Sequence, residues 1–112
     1  METTRQKKVS RLLQKELSII FQKQMPGLLA NVMATVTLVR VSPDLANANV
    51  FLSIFPADNP KEVLKVIKSN SGLFRKYLGN SIRNQLRVTP VVEYFLDDSA
   101  AYVEEIDRLL KK

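Results

Sequence analysis

The sequence predicts an α+β fold in which a three-stranded sheet carries helices on one face. Three patterns lead to this prediction. Residues 4–25 repeat apolar positions at helical spacing, residues 33–41 and 48–55 have strand character, and residues 59–87 contain two consecutive amphipathic helices. A third strand is expected at about Val91–Leu96, which gives the element order α-β-β-α-α-β with a short trailing helix.

The first helix is expected to cover residues 4–25. One of its faces is apolar and the other is mainly basic or polar. Pro26-Gly27 follows directly and is expected to end the helix, because proline and glycine both weaken a helix interior. The apolar face carries Val9, Leu13, Leu17 and Ile20.

Residues 33–41, with the sequence MATVTLVRV, are rich in β-branched residues and apolar or Thr-bearing on both faces. This composition predicts a strand and favours the centre of the sheet. Ser42-Pro43-Asp44 supplies a short turn into residues 48–55, so the two strands are expected to form an antiparallel hairpin. Thr89-Pro90 is expected to end the last helix of the pair and start the third strand.

The helix pair begins with recognisable capping chemistry. Asn59 is a candidate N-cap, Pro60 suits the first helical position, and Glu62 lies where it can close a capping box. Asn70-Ser71-Gly72 contains three residues that weaken a helix interior, so a kink is expected there. A positive φ at Gly72 would make Gly72→Val destabilising by on the order of 1–3 kcal/mol.

The second helix of the pair is expected to divide into an apolar inner face and a basic outer face. The spacing assigns Phe74, Tyr77, Leu78 and Ile82 to the core. It assigns Lys76, Asn80, Arg83 and Arg87 to nearly the opposite side.

The charge distribution is more informative than the net charge of +6. Residues 1–25 hold six Lys or Arg against two Glu, and residues 61–87 hold seven against one. Residues 88–112 are acidic in balance. Positive charge gathered on the first helix and on the helix pair indicates a polyanionic partner, with nucleic acid the first candidate, although lysine-rich helix faces are often simply solvated.

Most catalytic chemistry is excluded by composition. The chain has no histidine and no cysteine, which excludes a His/Cys metal site, a His-based triad and disulfides. Glu93, Asp97 and Asp98 are the remaining acidic cluster, and helix capping is a commoner use of such residues than weak Mg²⁺ binding. No glycine-rich phosphate loop, secretory signal or membrane-spanning run is present. No cofactor or metal is expected.

The helix pair can be compared with the K homology module, which binds single-stranded RNA with a GXXG loop between two helices. The present sequence has Asn70-Ser71-Gly72 at the junction and no GXXG. Any RNA contact is therefore expected from the basic helix faces, mainly to phosphates and ribose.

Three pieces of sequence, in this order and spacing, resemble the bacterial ribosome-binding factor A family over almost the full chain. They are the strand-turn segment Val36–Leu45 with Ala48, the junction Ser71–Arg75, and Pro90 followed by Val92, Tyr94, Asp97 and Ser99. The resemblance implies a type II K homology-like fold with a mixed sheet. It also implies an Ala-x-Gly interhelical kink in place of GXXG, and here Asn70 stands at the Ala position.

The resemblance further implies a non-enzymatic, cytoplasmic factor that binds the small ribosomal subunit and assists late rRNA maturation near the 5′ end. Many members carry a long C-terminal tail, whereas the present sequence stops soon after Ser99. We expect one K homology-like RNA-binding domain over residues 1–112. We also expect a monomer with no membrane association and no small-molecule substrate.

Nine cations on the first helix and on the helix pair are the candidate RNA-binding residues. They are Lys8, Arg11, Lys15, Lys65, Lys68, Arg75, Lys76, Arg83 and Arg87.

Two other functions are kept as alternatives. The main one is a protein-interaction module, such as a homodimer without a direct RNA role. The third hypothesis is a small enzyme with an acidic site.

Overall fold

A computed structural model of the chain describes residues 3–55 and 59–97. It confirms the predicted α+β class, the mixed three-stranded sheet and the type II K homology-like element order. The predicted trailing helix lies outside the described residues. The elements are α1 (Thr4–Leu28), β1 (Met33–Val41), β2 (Asn47–Phe55), α2 (Pro60–Ser69), α3 (Ser71–Ile82) and β3 (Val91–Leu96).

The sheet has the strand order β1-β2-β3. β1 pairs with β2 antiparallel, as predicted, and β3 pairs with β2 parallel. The prediction that residues 33–41 form the central strand was wrong, because β2 occupies the centre and β1 an edge. A bulge between Val36 and Leu38 shifts the alternation of β1, so that Leu38 faces outward. This shift explains why β1 looks apolar on both faces in the sequence.

One face of the sheet packs against the helices. The inward-facing residues of β1 and β2 are small or branched, and Tyr94 supplies the aromatic contribution from β3. The Phe21 ring in α1 lies 4.7 Å from that of Phe74 in α3 and 5.7 Å from that of Tyr94. These three rings connect α1, α3 and β3 in one core, so the position of α3 over the sheet is set by apolar packing.

Helix α1 begins with a capping box that the sequence analysis missed. The Thr3 hydroxyl accepts from the backbone N–H of Gln6, and the Gln6 side chain accepts from the backbone N–H of Thr3. The pattern Thr-x-x-Gln is visible in the sequence at residues 3–6 and could have identified this N-terminus.

The end of α1 differs from the prediction. The helix continues through Pro26 to Leu28, and Leu29 N–H still donates to the Met25 carbonyl at 2.8 Å. Pro26 lacks an N–H for the helical ladder and its ring crowds the carbonyl four residues earlier, but burial of Met25 holds the last turn against the sheet. Pro26-Gly27 therefore does not end the helix.

Two further details of the helix pair are corrected. Asn59 makes no side-chain capping hydrogen bond, and Glu62 pairs with Lys65 instead of closing a capping box. Tyr77 is 38% exposed and does not belong to the core. The buried positions of α3 are Phe74, Leu78 and Ile82, so the apolar stripe is narrower than the spacing indicated.

Helix α3 ends at Ile82, well before the predicted stop at Thr89-Pro90. Gln85 N–H and Leu86 N–H both donate to the Ile82 carbonyl, which closes one further turn after the helix. Pro90 is fully buried and Val91 N–H donates to the Ala46 carbonyl, so the chain must return to the edge of β2. This long-range docking of β3 shortens the helix and leaves Arg87 in a loop.

In the described ranges, none of the helices has the combination of length and apolar character that crossing a membrane requires. Within the same ranges, no three carboxylates are close enough together to hold a metal ion.

Candidate nucleic-acid interface

All nine candidate cations are exposed on the helical layer or the loop that follows it. They fall into three groups by element. Lys8, Arg11 and Lys15 lie on α1, and Lys65 and Lys68 lie on α2. Arg75 and Lys76 lie on α3, Arg83 is the residue at its C-terminal cap, and Arg87 lies in the loop after it.

The junction between α2 and α3 is a single residue, Asn70, with φ −106° and ψ 16°. Its backbone N–H and its side-chain amide both donate to the Val66 carbonyl, at 3.2 and 2.8 Å. Its carbonyl accepts from Leu73 N–H and Phe74 N–H. The side-chain amide of Asn70 thus caps the end of α2, and its backbone carbonyl accepts the first hydrogen bonds of α3. The junction therefore satisfies backbone groups at both helix ends.

Ser71 and Gly72 belong to the first turn of α3 and are not themselves the break. None of the three glycines, all of which lie in the described ranges, has a positive φ, and apart from Gly72's own helix and chain neighbours no atom lies within 4 Å of a Cβ built on Gly72. The expectation of a strained, positive φ at Gly72 was therefore wrong. Gly72 is exposed and open to solvent, which lets another molecule approach the backbone closely.

A concavity of about 560 Å³ lies beside Gly72, and we call it the junction pocket. It brings the adjacent candidates Arg75 and Lys76 together with Arg87, which lies in the loop after α3. Its floor is the first turn of α3, and its far wall is the loop before β3. The lining residues are Gly72, Arg75, Lys76, Arg87, Val88 and Thr89.

Two features let the loop wall of the junction pocket lie against α3, a hydrogen bond from Arg75 and the absence of a side chain at Gly79. Arg75 Nη2 donates to the Thr89 carbonyl at 3.0 Å. Gly79 has no side chain, and a Cβ built there would lie 3.0 Å from Thr89 Oγ1. A glycine in the middle of an amphipathic helix indicates close approach of another segment. That signal was present in the sequence, but it did not identify Thr89 as the neighbour.

A second concavity lies on the other side of the junction, between α2 and the outer edge of β3. Lys68 and Ser71 form one wall and residues 92–95 form the other. Burial raises the pKa of the Tyr94 hydroxyl well above its usual value, so this residue is neutral at ordinary pH. Lys68 and Glu93 both line this groove, so its charge is mixed, in contrast to the junction pocket.

The other candidates are not gathered into either concavity. Lys65 Nζ lies 3.5 Å from Glu62 Oε1 in an ion pair whose partners are 75% and 68% exposed, a geometry that contributes little to stability. Arg83 follows the last turn of α3. The three α1 cations lie along the exposed side of α1. Among the nine candidates, Arg75, Lys76 and Arg87 are therefore the three that line one shared concavity, the junction pocket.

The model of the family described as Ribosome-binding factor A matches residues 5–110. The chain belongs to the ribosome-binding factor A family. The curated ribosome-binding factor A of Cytophaga hutchinsonii is 42% identical over 112 residues, covering 100% of this chain and 84% of that protein. The resemblance inferred from the strand-turn, junction and Tyr94 segments is confirmed.

A crystal structure and a homology model fitted into a cryo-EM map show the same fold as this chain. The crystal structure of ribosome-binding factor A from Thermus thermophilus has a TM-score of 0.66 at 19% identity, covering 81% of this chain and 94% of that one. A homology model of the Thermus thermophilus factor, fitted into a cryo-EM map of a 30S complex, has a TM-score of 0.63 at 21% identity. That match covers 80% of this chain and 91% of the other.

Proposed function

We propose that this chain is a non-enzymatic assembly factor of the small ribosomal subunit that binds immature rRNA and assists its late maturation. The observation that carries the proposal is the junction pocket, where Arg75, Lys76 and Arg87 converge beside an exposed Gly72. Membership of the ribosome-binding factor A family supports the ribosomal partner. So does the fitting of the Thermus thermophilus factor into a map of a 30S complex.

The chemistry of the junction pocket suits a bent RNA backbone. Arginine presents a planar fork of donors and lysine a mobile point charge, and both pair with phosphate oxygens. Arg75 uses one nitrogen for the Thr89 carbonyl, which fixes its orientation at the pocket. Because these groups recognise phosphate and not base edges, the pocket holds and orients RNA by shape and charge more than by sequence.

The remaining candidates extend the proposed interface from this anchor. Lys65, Lys68 and Arg83 lie on the helix pair or at its end, and Lys8, Arg11 and Lys15 lie on α1. They are exposed cations, and the chain has neither histidine nor cysteine for the commonest kinds of catalytic site. In this proposal the protein acts by occupying and stabilising an rRNA conformation without making or breaking bonds.

We further propose that the factor works in the cytoplasm as a monomer, with residues 1–112 forming one RNA-binding domain, and that it contacts rRNA near the 5′ end. Chemical probing of rRNA in purified small subunits, with and without the protein, tests the last point. Protection confined to other regions would contradict the 5′ location while leaving subunit binding intact.

The junction pocket is tested by the double variant Lys76→Glu/Arg87→Glu. We expect it to melt almost normally, because both side chains are exposed, and to lose cosedimentation with small subunits at moderate salt. The matched control is Lys23→Glu/Lys61→Glu, which changes the net charge equally at exposed positions outside the pocket. Equal loss of binding by both doubles would mean that overall charge, and not the pocket, attracts the subunit.

A further inference from the structure

A cavity of about 280 Å³ lies between the last turns of α1 and the start of β1, and we call it the edge cavity. Its lining is mostly apolar and includes Phe21 and Met25, which are buried residues of α1. Ser18 and Gln22 line it from the same helix. None of the described residues that line it is charged, so the edge cavity suits an apolar group, whereas the junction pocket suits phosphate.

The edge cavity runs alongside the outer edge of β1. Successive side chains of a strand point to opposite faces of the sheet. Met33 and Thr35 are exposed on the face turned away from the helices, and Ala34 is buried on the face turned towards them. All three residues line the edge cavity. Because one cavity meets residues of both faces of this edge strand, it lies beside the strand edge itself.

The backbone of Ala34 is directed to this free edge. In an antiparallel pair, alternate residues bond the partner strand and the residues between them point away from it. The Leu52 carbonyl accepts from Asp97 N–H, so the backbone of Leu52 faces β3 and that of its partner Val36 faces away from β2. The Val36 carbonyl lies 3.5 Å from Gln14 Nε2 of α1, in agreement with this direction. Ala34, two residues earlier, therefore directs its N–H and its carbonyl to the same edge.

Helix α1 covers the edge of β1 with glutamines at two places and leaves a third place open. Gln6, Gln14 and Gln22 follow one another at equal spacing along the helix. The first two reach carbonyls of β1. Gln22 instead lines the edge cavity, and in the part of the chain that the structure describes no hydrogen bond from outside the sheet reaches the backbone of Ala34. A strand edge with unpaired backbone groups is a template for a further strand.

We propose that the edge cavity is a docking site for an extended segment of another protein, which adds to β1 as a further strand and places one apolar side chain in the cavity. In strand addition, backbone hydrogen bonds supply affinity and side-chain pockets supply specificity. The segment residue opposite Ala34 would exchange backbone hydrogen bonds with it and point its side chain towards the helices, onto Phe21 and Met25.

The size of the edge cavity fits this occupant. An apolar cavity of about 150 Å³ is large enough to hold benzene. The edge cavity, at about 280 Å³, therefore has room for one leucine or phenylalanine side chain.

Other macromolecules match the edge cavity less well. An RNA strand has no backbone groups in the register of a β-strand, and the described lining offers it no cation. A second copy would bring its own α1 beside its own β1, whereas an extended segment has no flanking helix to accommodate. The site gives the protein a protein-binding surface in addition to the proposed RNA interface.

Amide hydrogen exchange in the free protein tests whether the edge is open. The N–H of Ala34 should exchange faster than those of Met33 and Thr35, whose backbones face β2. Equal protection of all three amides would mean that the edge is closed, and would overturn the proposal.

An NMR titration with the peptide acetyl-Thr-Val-Leu-Val-Thr-amide tests docking itself, since this probe places strand-forming residues around one leucine. At millimolar concentration it should shift the amide signals of residues 18–25 and 32–36 and slow exchange at Ala34. Replacing its leucine by aspartate should weaken binding about tenfold or more, because the apolar burial is lost. Methylating the leucine nitrogen should also weaken binding, because the donor to the Ala34 carbonyl is lost. No shifts with the leucine peptide, or equal binding by all three peptides, would overturn the proposal.

Ser18→Leu fills the edge cavity from the protein side. The Ser18 hydroxyl donates only within α1, to the Gln14 carbonyl at 2.6 Å. The matched control is Ser69→Leu, because that hydroxyl makes the same bond to the Lys65 carbonyl in α2. Ser18→Leu should lose the peptide shifts and Ser69→Leu should keep them.

Undiminished peptide binding by Ser18→Leu would contradict the assignment of the cavity. Sedimentation that shows a dimer of the free protein, dissociated by Ser18→Leu, would assign the edge to a second copy and overturn the proposal. No RNA is present in these experiments, so failure here is distinct from failure of the ribosomal function.

Discussion

Gln6 connects three parts of the molecule through one side chain that is only 5% exposed. Its carboxamide accepts from Thr3 N–H at 2.8 Å and donates to the Val41 carbonyl of β1 at 2.8 Å. Gln6→Ala leaves both groups without these partners, so we expect the free energy of unfolding to fall by about 1–3 kcal/mol in urea denaturation.

Gln14→Ala is the matched control for this loss. Gln14 also reaches β1 from α1, but its Nε2 lies 3.5 Å from the Val36 carbonyl and the contact is only partly buried. At this distance the hydrogen bond is weak, and we expect a loss below about 0.5 kcal/mol. Equal losses for the two variants would contradict the assignment of a larger contribution to the buried hydrogen bonds of Gln6.

Replacing Gly72 by alanine and replacing Gly79 by alanine should have different effects on thermal stability. Each replacement raises helix propensity by up to about 1 kcal/mol. Gly72 has open space where the Cβ would lie, whereas the Cβ at Gly79 would meet Thr89 Oγ1 at 3.0 Å. We expect Gly72→Ala to raise the melting temperature and Gly79→Ala to raise it less or lower it.

Thr89→Ala provides the test of the cause at Gly79. Removing Oγ1 takes away the close contact, so Gly79→Ala should stabilise the Thr89→Ala background more than it stabilises the wild type. Identical effects in both backgrounds would mean that the loop moves freely and that Gly79 does not position it.

The turn between β1 and β2 is organised by Asp44. Its carboxylate accepts from the Ser42 hydroxyl at 2.6 Å and from Ala46 N–H at 3.1 Å. The Ser42 hydrogen bond, followed by that of Ala46, lowers the pKa of Asp44 below its usual value of 3.8. The folded turn therefore stabilises the ionised carboxylate of Asp44 more than the unfolded chain does.

This lowered pKa makes part of the stability dependent on acid pH. Stability from a depressed carboxyl pKa is present above about pH 4 and is lost as the pH falls through the folded-state pKa. We expect Asp44→Asn to be less stable than wild type at pH 6 and to lose less stability between pH 6 and pH 2. Thermal melts across this range measure the difference, with Glu93→Gln as the control. Parallel profiles for wild type and Asp44→Asn would contradict the assignment.

The proposed RNA interface predicts strong dependence on salt at the scale of the whole molecule. If about five phosphates are contacted, log K against log salt should have a slope of roughly −3.5 to −4.5. Losing the Lys76 and Arg87 contacts should reduce the magnitude of that slope by roughly 1.4 to 1.8 units. Titrations of labelled rRNA fragments at several salt concentrations measure it, and a slope near zero for the wild type would exclude an electrostatic anchor.

The sequence by itself determined the element types and their order, because both follow from local patterns. The 3.6-residue period placed α1 and the helix pair, and β-branched content placed β1. Turn chemistry at Ser42-Pro43-Asp44 and the break at Thr89-Pro90 placed the hairpin and the start of β3. The basic balance of α1 and the helix pair was equally visible, since it needs only the identity of neighbouring residues.

Only the tertiary structure decided where those elements end and which side chains meet. Docking of β3 beside β2 shortened α3 at Ile82, and burial of Met25 carried α1 past Pro26. The bulge in β1 turned Leu38 outward, and packing left Tyr77 on the surface. These outcomes depend on contacts between residues far apart in sequence, which a local period does not encode.

The junction pocket shows most clearly the difference between what local sequence determines and what tertiary contacts decide. Its cations were recognisable in the sequence as members of one basic segment. Arg87, however, reaches Arg75 and Lys76 because the loop folds back, with Gly79 admitting Thr89 and Arg75 binding its carbonyl. A helix continued to Arg87 would have carried that residue away along its axis by 1.5 Å per residue. The sequence supplied the charges, and the return of the chain to the sheet brought them together.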